Sequence, residues 1–396
     1  MMSLKMVRHL AIGLAVGGLM ILQGGSVLGQ VPGGAAQAKQ YWVYVGNNGT
    51  TGIGLYKLDV EKGTLSADGM AAPANKPGFL AIAPNQKLLF AGVAGTGPAN
   101  TAGAIESFSI DAATGKLTVI NQQSSAGDEP AYVAVDPAGK NVLTANYGTA
   151  TVAVLPFDTS GKLSPATTVI TETGSSTDPS RQTHAYAHSI NCDPSGKFAI
   201  SCDLGADKLF LYKFDSTAGK LTANDPAFVT VPAGSGPRHL TFSPNGKFVY
   251  VLNEMGATVV AYSYDAAKGG LKQIQIIKTL KSDEKGNTSA EVQIDPSGKF
   301  LYASNRLTTN YLTIFAIDQA TGMLTQKGYQ DAMGKTPRSY RIDPTGHFMV
   351  LANQDSDNLV LFKIDQATGM LTAVGQPIAS NVKAPICVKF VAASGG

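Results

Sequence analysis

The sequence predicts an all-β fold, a seven-bladed β-propeller of four-stranded antiparallel blades that is closed by pairing of its N- and C-terminal segments. The first observation is a repeated segment, Asp-Pro-Ser-Gly-Lys-Phe, which occurs at residues 193–198 and 295–300 and in near or degenerate copies elsewhere. The marker proline of the copies stands at Pro84, Pro137, Pro194, Pro244, Pro296 and Pro344. The spacings are 53, 57, 50, 52 and 48 residues, a period that is typical of propellers, solenoids and other repeat architectures.

The second observation is the pattern within a repeat. In the copy that begins near Arg238, the runs HLTFS, FVYVLN, ATVVAYSYD and LKQIQII are short and rich in β-branched and aromatic residues, and PNGK and AAKGG punctuate them as turns. Four antiparallel strands with no helical run between them form one propeller blade. The roughly 355 residues after the N-terminal region, at a period near 50, supply about seven blades.

The third observation concerns the two ends of the chain. Only six copies carry the marker proline, and the N-terminal runs YWVYVGN, IGLYKLDV and GTLSADGM supply three further strands. The C-terminal run APICVKFVA resembles the first strand of a repeat, since Pro385 aligns with Pro237. Pairing the two ends closes the ring and hides sheet edges that an open array would expose. A two-domain β protein is the alternative, but no linker or change of composition separates the copies. Residues 41–396 are therefore predicted to form one domain.

The N-terminal region has the pattern of a secretory signal peptide. Lys5 and Arg8 precede 13 apolar residues at 10–22, and small residues follow at 27–29. We predict a signal peptide at residues 1–29 and a linker at residues 30–40, with the mature protein periplasmic or secreted. The apolar run is too short to span a bilayer comfortably, so no stable membrane insertion is expected after cleavage. An uncleaved membrane anchor remains the alternative.

The charge and the cysteine content of the chain argue against several classes of protein. The chain has 31 Lys and Arg against 28 Asp and Glu, and removal of Lys5 and Arg8 leaves it nearly neutral, so nothing indicates nucleic-acid binding. Cys192, Cys202 and Cys387 are interpreted as buried apolar residues, with no disulfide expected. The sequence has no Cys and His cluster with zinc spacing, and neither a metal nor a cofactor is expected.

The repeat also serves as an internal control for functional residues. Nine residues past the marker the copies share an amide or carboxylate, which indicates a structural role. The copies disagree at the start of the first strand and just after the second strand. Those positions hold His188, Arg238, His239, Glu291 and Arg338, and Tyr147, Glu254, Arg306 and Gln354. A hairpin returns the end of its second strand beside the start of its first, and in a propeller the first strand lines the central channel. These residues are therefore predicted to surround one channel mouth.

The charged residues at this mouth, which include three arginines, favour a small anionic ligand. Arginine presents a planar fork that suits carboxylate or phosphate, and it can also stabilise an oxyanion. Glu254 and His188 form the plausible proton-transfer pair. A solvated, charged channel mouth without a ligand is the alternative.

The chain resembles the seven-bladed propeller lactonases, which include bacterial 6-phosphogluconolactonase and the fungal 3-carboxy-cis,cis-muconate lactonizing enzyme. The resemblance extends from Tyr41 to the C-terminus and depends on segments such as AHSINCDPSGKF, GSGPRHLTFSPNGKFVYVLNE and AEVQIDPSGKFLYASNR. It implies catalytic roles for His188, Arg238, Glu254 and Arg306. Substrate binding is expected at His239, Glu291, Arg338, Tyr147 and Gln354.

Three functions remain open at this level. Hydrolysis of a sugar-derived or similar anionic lactone, 6-phosphogluconolactonase-like, is the leading hypothesis. A muconate-type cycloisomerase would use the same groups without attack by water. A non-catalytic propeller that binds a ligand or protein is the third, because a fold alone does not define a function.

Overall fold

The structure is a computed structural model, and it describes residues 38–94 and 102–394. The predicted signal peptide and most of the predicted linker lie outside the described residues. So does most of the glycine-rich loop at residues 95–103. Within the described residues, no helix is long and apolar enough to cross a membrane.

The described chain folds into seven antiparallel sheets, as predicted. Blade 1 takes three strands from the N-terminal end of the described chain: β1 (Gln40–Asn47), β2 (Thr51–Asp59) and β3 (Thr64–Asn75). Side chains alternate between the two faces of β1, with Trp42 and Tyr44 on one face and Tyr41 and Val43 on the other, and both faces are buried against a neighbouring blade.

Blades 2 to 7 follow in chain order, each from consecutive strands. Blade 2 comprises β4 (Leu80–Ile82), β5 (Leu88–Ala94), β6 (Ala102–Ile110) and β7 (Leu117–Asp128). Blade 3 comprises β8 (Pro130–Val135), β9 (Asn141–Asn146), β10 (Thr151–Pro156) and β11 (Thr168–Thr171). Blade 4 comprises β12 (Ala187–Cys192), β13 (Phe198–Asp203), β14 (Lys208–Asp215) and β15 (Lys220–Thr230). Blade 5 comprises β16 (Pro237–Phe242), β17 (Phe248–Asn253), β18 (Thr258–Asp265) and β19 (Gly270–Lys278). Blade 6 comprises β20 (Thr288–Ile294), β21 (Phe300–Arg306), β22 (Tyr311–Ile317) and β23 (Leu324–Asp331). Blade 7 comprises β24 (Pro337–Ile342), β25 (Phe348–Asn353), β26 (Asn358–Ile364) and β27 (Leu371–Ala373), and the short β28 (Ile378–Ala379) also pairs with β26.

The last strand, β29 (Pro385–Ala392), closes the ring. It pairs antiparallel with β1, from Tyr41 opposite Ala392 to Asn47 opposite Pro385. The predicted closure is therefore confirmed. The innermost strand is β29 in blade 1 and the first strand in every other blade. Each innermost strand contacts those of the two neighbouring blades, so these seven strands surround the central channel.

The repeated segment forms the turn between the first and second strands of a blade. In blade 6, Asp295 Oδ1 accepts a hydrogen bond from the backbone N–H of Phe300 at 2.7 Å, and Oδ2 accepts one from the N–H of Ser297 at 3.0 Å. Asp193 and Asp343 bind the corresponding amides in their own blades. The carboxylate satisfies donors that a tight turn would otherwise leave without partners, which explains why this segment recurs.

The shared amide at the end of the second strand is structural, and its contacts extend further than a local turn. Asn146 Nδ2 donates to Ser125 O at 2.9 Å, and Asn305 Nδ2 donates to Thr279 O at 3.2 Å. Both acceptors lie in the strand or connection that arrives from the preceding blade. These buried amides therefore hold each incoming connection against the blade that it enters.

Candidate active site

A β-bulge near the start of the first strand separates one side chain from the regular pairing in several blades. In blade 5, Pro237 pairs with Asn253 and His239 pairs with Leu252, so Arg238 has no partner on β17. His188 and Arg338 occupy the same place in blades 4 and 7. A bulge re-aims the extra residue, and such irregularities are over-represented beside active sites. The positions at which the sequence copies disagree are thus also irregular in the backbone.

A pocket of about 750 Å³ lies at this mouth of the channel. Among the residues that line it are eight of the nine predicted site residues: His188, Arg238, Glu254, Arg306, His239, Arg338, Tyr147 and Gln354. They come from blades 3 to 7, so ring closure brings together side chains that are far apart in the sequence. Glu291 does not line this pocket.

Glu254 is the centre of the polar network. Its carboxylate accepts hydrogen bonds from Arg181 Nη2 at 2.9 Å on Oε1 and from Arg238 Nε at 3.0 Å on Oε2. Arg306 Nη2 lies 3.1 Å from Oε2 as well. Glu254 is only 3% exposed, so these ion pairs are little screened by water.

The charge state of Glu254 follows from these contacts. Burial alone would raise the pKa of its carboxyl, but the neighbouring Arg306, Arg238 and Arg181 together hold the pKa well below its ordinary value. The group is therefore ionised at neutral pH. Because its proton affinity is low while the arginines surround it, it is a weak general base in this state.

His188 has the opposite charge state. Burial, and then the charge of Arg238, lowers the pKa of its imidazole well below the ordinary value, so the ring is neutral at pH 7. Its Nδ1 is buried and has no hydrogen-bond partner among the described residues. The ring packs edge-on against Tyr147, with centroids 5.6 Å apart. A neutral imidazole that lines the pocket can accept a proton from a bound molecule.

Glu291 lies one layer deeper in the channel, where it contacts His239. Its Oε1 is 3.2 Å from His239 Nδ1, and His239 lines the main pocket while Glu291 lines a separate, smaller one. Burial raises the pKa of Glu291 to about 7. Glu291 and His239 occupy the same position of the repeat, one residue beyond the position of Arg238. The side chains at this position point further down the channel.

Arg338, Gln354 and Tyr147 form the other parts of the pocket wall. Arg338 Nη1 donates to Gln354 Oε1 at 3.2 Å, and burial lowers the pKa of Arg338 to about 9, which leaves it cationic at neutral pH. Tyr147 stacks on Tyr186 with centroids 4.7 Å apart. The pocket therefore combines a cationic wall with an aromatic one.

Arg181 is the main residue that sequence reasoning missed. It lies in the connection between β11 and β12, which has no counterpart in the other blades, and its side chain is 42% exposed. One signal was present, since the 57-residue spacing between Pro137 and Pro194 is the longest and indicates extra residues there. That spacing does not show which inserted residue turns toward the channel.

The pocket is net cationic. Its lining includes five cations, Lys76, Arg181, Arg238, Arg306 and Arg338, and three carboxylates, Glu129, Glu254 and Asp355. In the described residues, no group of three or more His, Cys, Asp or Glu side chains could hold a metal ion. The three cysteines are free; Cys202 and Cys387 are buried, whereas Cys192, expected to be buried, is half-buried.

A closed seven-bladed propeller with a polar, cationic pocket at one channel mouth defines the class of protein: a propeller enzyme that binds a small molecule. The chain belongs to the family described as "Lactonase, 7-bladed beta-propeller", whose sequence model matches residues 42–390. The resemblance noted from the sequence is thereby confirmed, and the protein is an enzyme of the lactone hydrolase class.

Named relatives agree with this assignment. The chain is 32% identical over 356 residues to 6-phosphogluconolactonase of Bacillus subtilis strain 168, a match that covers 89% of this chain and 99% of the relative. It is 32% identical to 6-phosphogluconolactonase of Formosa agariphila, with coverage of 78% and 88%. The structure of a periplasmic gluconolactonase from Pseudomonas aeruginosa superposes with a TM-score of 0.83 at 32% identity and covers 89% of this chain and 99% of that one.

Proposed function

We propose that the protein is an exported lactonase that hydrolyses an anionic, sugar-derived lactone, 6-phosphogluconolactonase-like, in the pocket that contains His188, Arg238, Glu254 and Arg306. The observation that carries this proposal is one buried carboxylate bound by three arginines, with a neutral histidine in the same pocket. Two relatives are named 6-phosphogluconolactonase, which supports an acidic sugar lactone as substrate.

The reaction divides into parts that these residues can perform. A water molecule attacks the lactone carbonyl carbon, a tetrahedral oxyanion forms, and the ring carbon–oxygen bond then breaks to give a hydroxy acid. His188, which is neutral and lines the pocket, takes the proton from the attacking water and delivers it to the ring oxygen as the carbon–oxygen bond breaks. The guanidinium groups of Arg238 and Arg306 stabilise the oxyanion as it forms.

Glu254 positions the arginines in this scheme. Bound to Arg238, Arg306 and Arg181 at 2.9–3.1 Å, it fixes the direction of their N–H groups before the substrate arrives. Preorganised donors need no rearrangement when the oxyanion forms. Arg338, supported by Gln354, is placed to bind a phosphate or carboxylate group of the substrate, and Tyr147 supplies a flat surface for the sugar ring.

The proposed chemistry is tested with a panel of sugar lactones, each with and without a phosphate group. We expect turnover of at least one, and a loss of about 10² to 10⁴ in kcat for His188→Gln, the range for a positioned acid or base. The matched control is His347→Gln, since His347 is exposed and lies in the turn between β24 and β25. Glu254→Gln should lower kcat as well, and it is assayed far below its melting temperature because it leaves buried cations unpaired.

Three outcomes would contradict the proposal. Wild-type protein that turns over no lactone would favour a binding propeller. A cyclic product formed without uptake of water would identify a cycloisomerase. Equal losses in the His188 and His347 variants would remove His188 from the mechanism.

Export is part of the proposal. It is supported by the basic and apolar pattern of the N-terminal residues and by a structural relative described as periplasmic. Fractionation of the native cells, followed by N-terminal sequencing, should give mature protein outside the cytoplasm that begins near residue 30. Cytoplasmic protein that retains Met1 would show that export is wrong while leaving the chemistry intact.

A further inference from the structure

A second pocket of about 150 Å³ lies in the channel, toward the C-terminal ends of the channel-lining strands. Its polar lining includes Asn191, Thr241, Glu291, Gln293, Arg341 and Lys389. Phe79 borders both pockets, while His239 lines only the main pocket and Glu291 only the second. The second pocket is therefore separated from the candidate active site by a layer of side chains.

Two cations in this pocket lack an anionic partner. Arg341 on β24 and Lys389 on β29 lie on contacting strands, and neither forms an ion pair within 4.0 Å in the described part of the chain. The ammonium of Lys389 lies 4.7 Å from the centroid of the Phe79 ring. Burial, together with the charge of Arg341, lowers the pKa of Lys389 below its ordinary value. Two like charges near each other repel, and an anion bound between them would offset that repulsion.

An amide donor in the same pocket is also unused. Asn191 Oδ1 accepts a hydrogen bond from Tyr132 O–H at 2.9 Å, which fixes the orientation of the amide. Asn191 Nδ2 is buried and has no acceptor among the described residues. A buried donor left without an acceptor costs about 1–3 kcal/mol.

The carboxyl group of Glu291 does not prevent an anion from binding. Burial raises its pKa to about 7, so below that pH the group is mostly protonated and contributes little repulsion. The protonated form can also donate a hydrogen bond.

From these contacts we infer that the second pocket is a binding site for a small oxyanion of phosphate size, held between Arg341 and Lys389. The volume sets the size limit, since it equals about five water molecules at ~30 Å³ each. That space is enough for one tetrahedral oxyanion. The site is distinct from the pocket at the channel mouth, and its existence does not depend on the proposed lactonase chemistry.

The test titrates purified protein with inorganic phosphate in an isothermal calorimeter. Wild-type protein should bind phosphate at this site in addition to any that binds at the main pocket. Lys389→Gln and Arg341→Gln should each weaken the binding at this site at least tenfold, while Arg338→Gln, in the main pocket, should leave it unchanged. Arg341 is exposed, so its variant provides a measurement even if Lys389→Gln does not fold.

Crystals soaked in selenate provide a second readout. An anomalous peak between Arg341 and Lys389 that disappears in Arg341→Gln would support the site. A peak confined to the arginines of the main pocket, or isotherms of folded Arg341→Gln and Lys389→Gln that match the wild type, would overturn it.

Discussion

Glu254 shows how a single residue organises the mouth of the channel. Its three arginine partners come from three separate parts of the chain: a connection, a first strand and a second strand. One buried carboxylate thereby fixes the relative positions of blades 4, 5 and 6 at the pocket. Removal of one partner from a buried ion pair is costly because the other charge stays behind, and here three charges would stay behind.

A second buried carboxylate shows the reverse effect on the pKa. Asp203 occupies the repeat position that is Asn in five other blades, and it lies beside Glu172. Burial first, and then Asp203, raises the pKa of Glu172 well above its ordinary value. Burial also raises the pKa of Asp203, whose Oδ1 accepts hydrogen bonds from Tyr186 N and Ala206 N. Two neighbouring carboxyl groups that both resist ionisation form a pH-sensitive pair.

We expect Asp203→Asn to stabilise the protein at neutral pH by about 1–3 kcal/mol. The amide keeps the acceptor for Tyr186 and Ala206 and can donate to Glu172. The raised pKa values mean that the wild-type pair contributes its full stability below the unfolded-state values near pH 4 and loses it as pH rises through the folded values. The gain of the variant should therefore shrink toward pH 4.

Free energies of unfolding measured between pH 4 and 8 test this expectation. Asp68→Asn is the control, since Asp68 is exposed and makes no side-chain hydrogen bond in the described residues. A variant that is less stable than wild type at pH 8 would show that the carboxylate of Asp203 is needed in its charged form.

At the scale of elements, one contact recurs between neighbouring blades. A glycine in the outer hairpin of one blade lies against the side chain that begins the second strand of the preceding blade. Gly322 packs on Phe248, Gly369 on Phe300 and Gly269 on Phe198. Tyr250 O–H donates to Gly322 O at 2.9 Å, which reinforces the first of these contacts. This contact explains why a glycine recurs in the outer hairpin of the repeat.

We expect Gly322→Ala to destabilise the protein more than Gly375→Ala. Both glycines have positive φ, 74° and 71°, so both variants incur a backbone cost of about 1–2 kcal/mol. A Cβ at Gly322 would overlap the Phe248 ring, whereas nothing lies within 4 Å of one at Gly375. Overpacking adds about 1–3 kcal/mol at Gly322 alone. Urea unfolding of the two variants measures the difference, and equal losses would mean that the blade contact is easily displaced.

At the scale of the whole molecule, the ring depends on β29. Its residues Cys387 and Val391 belong to the apolar cluster between blades 1 and 2, and Val388 belongs to the cluster between blades 7 and 1. Each of the other interblade boundaries has a cluster of its own, so stability is distributed around the ring. β29 joins the two ends of the domain by strand pairing.

Truncation after Ala384 should abolish the stable monomer. It removes the channel-lining strand of blade 1 and exposes the edge of β1, which is then free to pair with other chains. Truncation after Ser394 is the control, because it leaves β29 intact. Size-exclusion chromatography and circular dichroism compare the two products. A truncated protein that elutes as a monomer and melts like the control would contradict the closure argument.

Much of the candidate site was predictable because the repeats can be compared with one another. His188, Arg238, Glu254 and Arg306 stand at positions where the copies disagree, and the hairpin register predicts that these positions share one mouth. Arg181 could not be found in this way, since its segment has no equivalent in the other blades. The distance of Glu291 from the channel mouth could not be predicted from the sequence either, because it depends on the bulge in β20.

The sequence by itself determined the number of blades, the closure of the ring and the channel mouth that holds the charged residues. Those properties follow from period and alternation, which are local and are repeated along the chain. Tertiary structure alone decided which charges meet. The pairing of Glu254 with three arginines, the neutrality of His188 and the unpaired cations of the second pocket depend on distances and burial between blades. Because electrostatic energies depend strongly on distance and burial, no linear pattern encodes them.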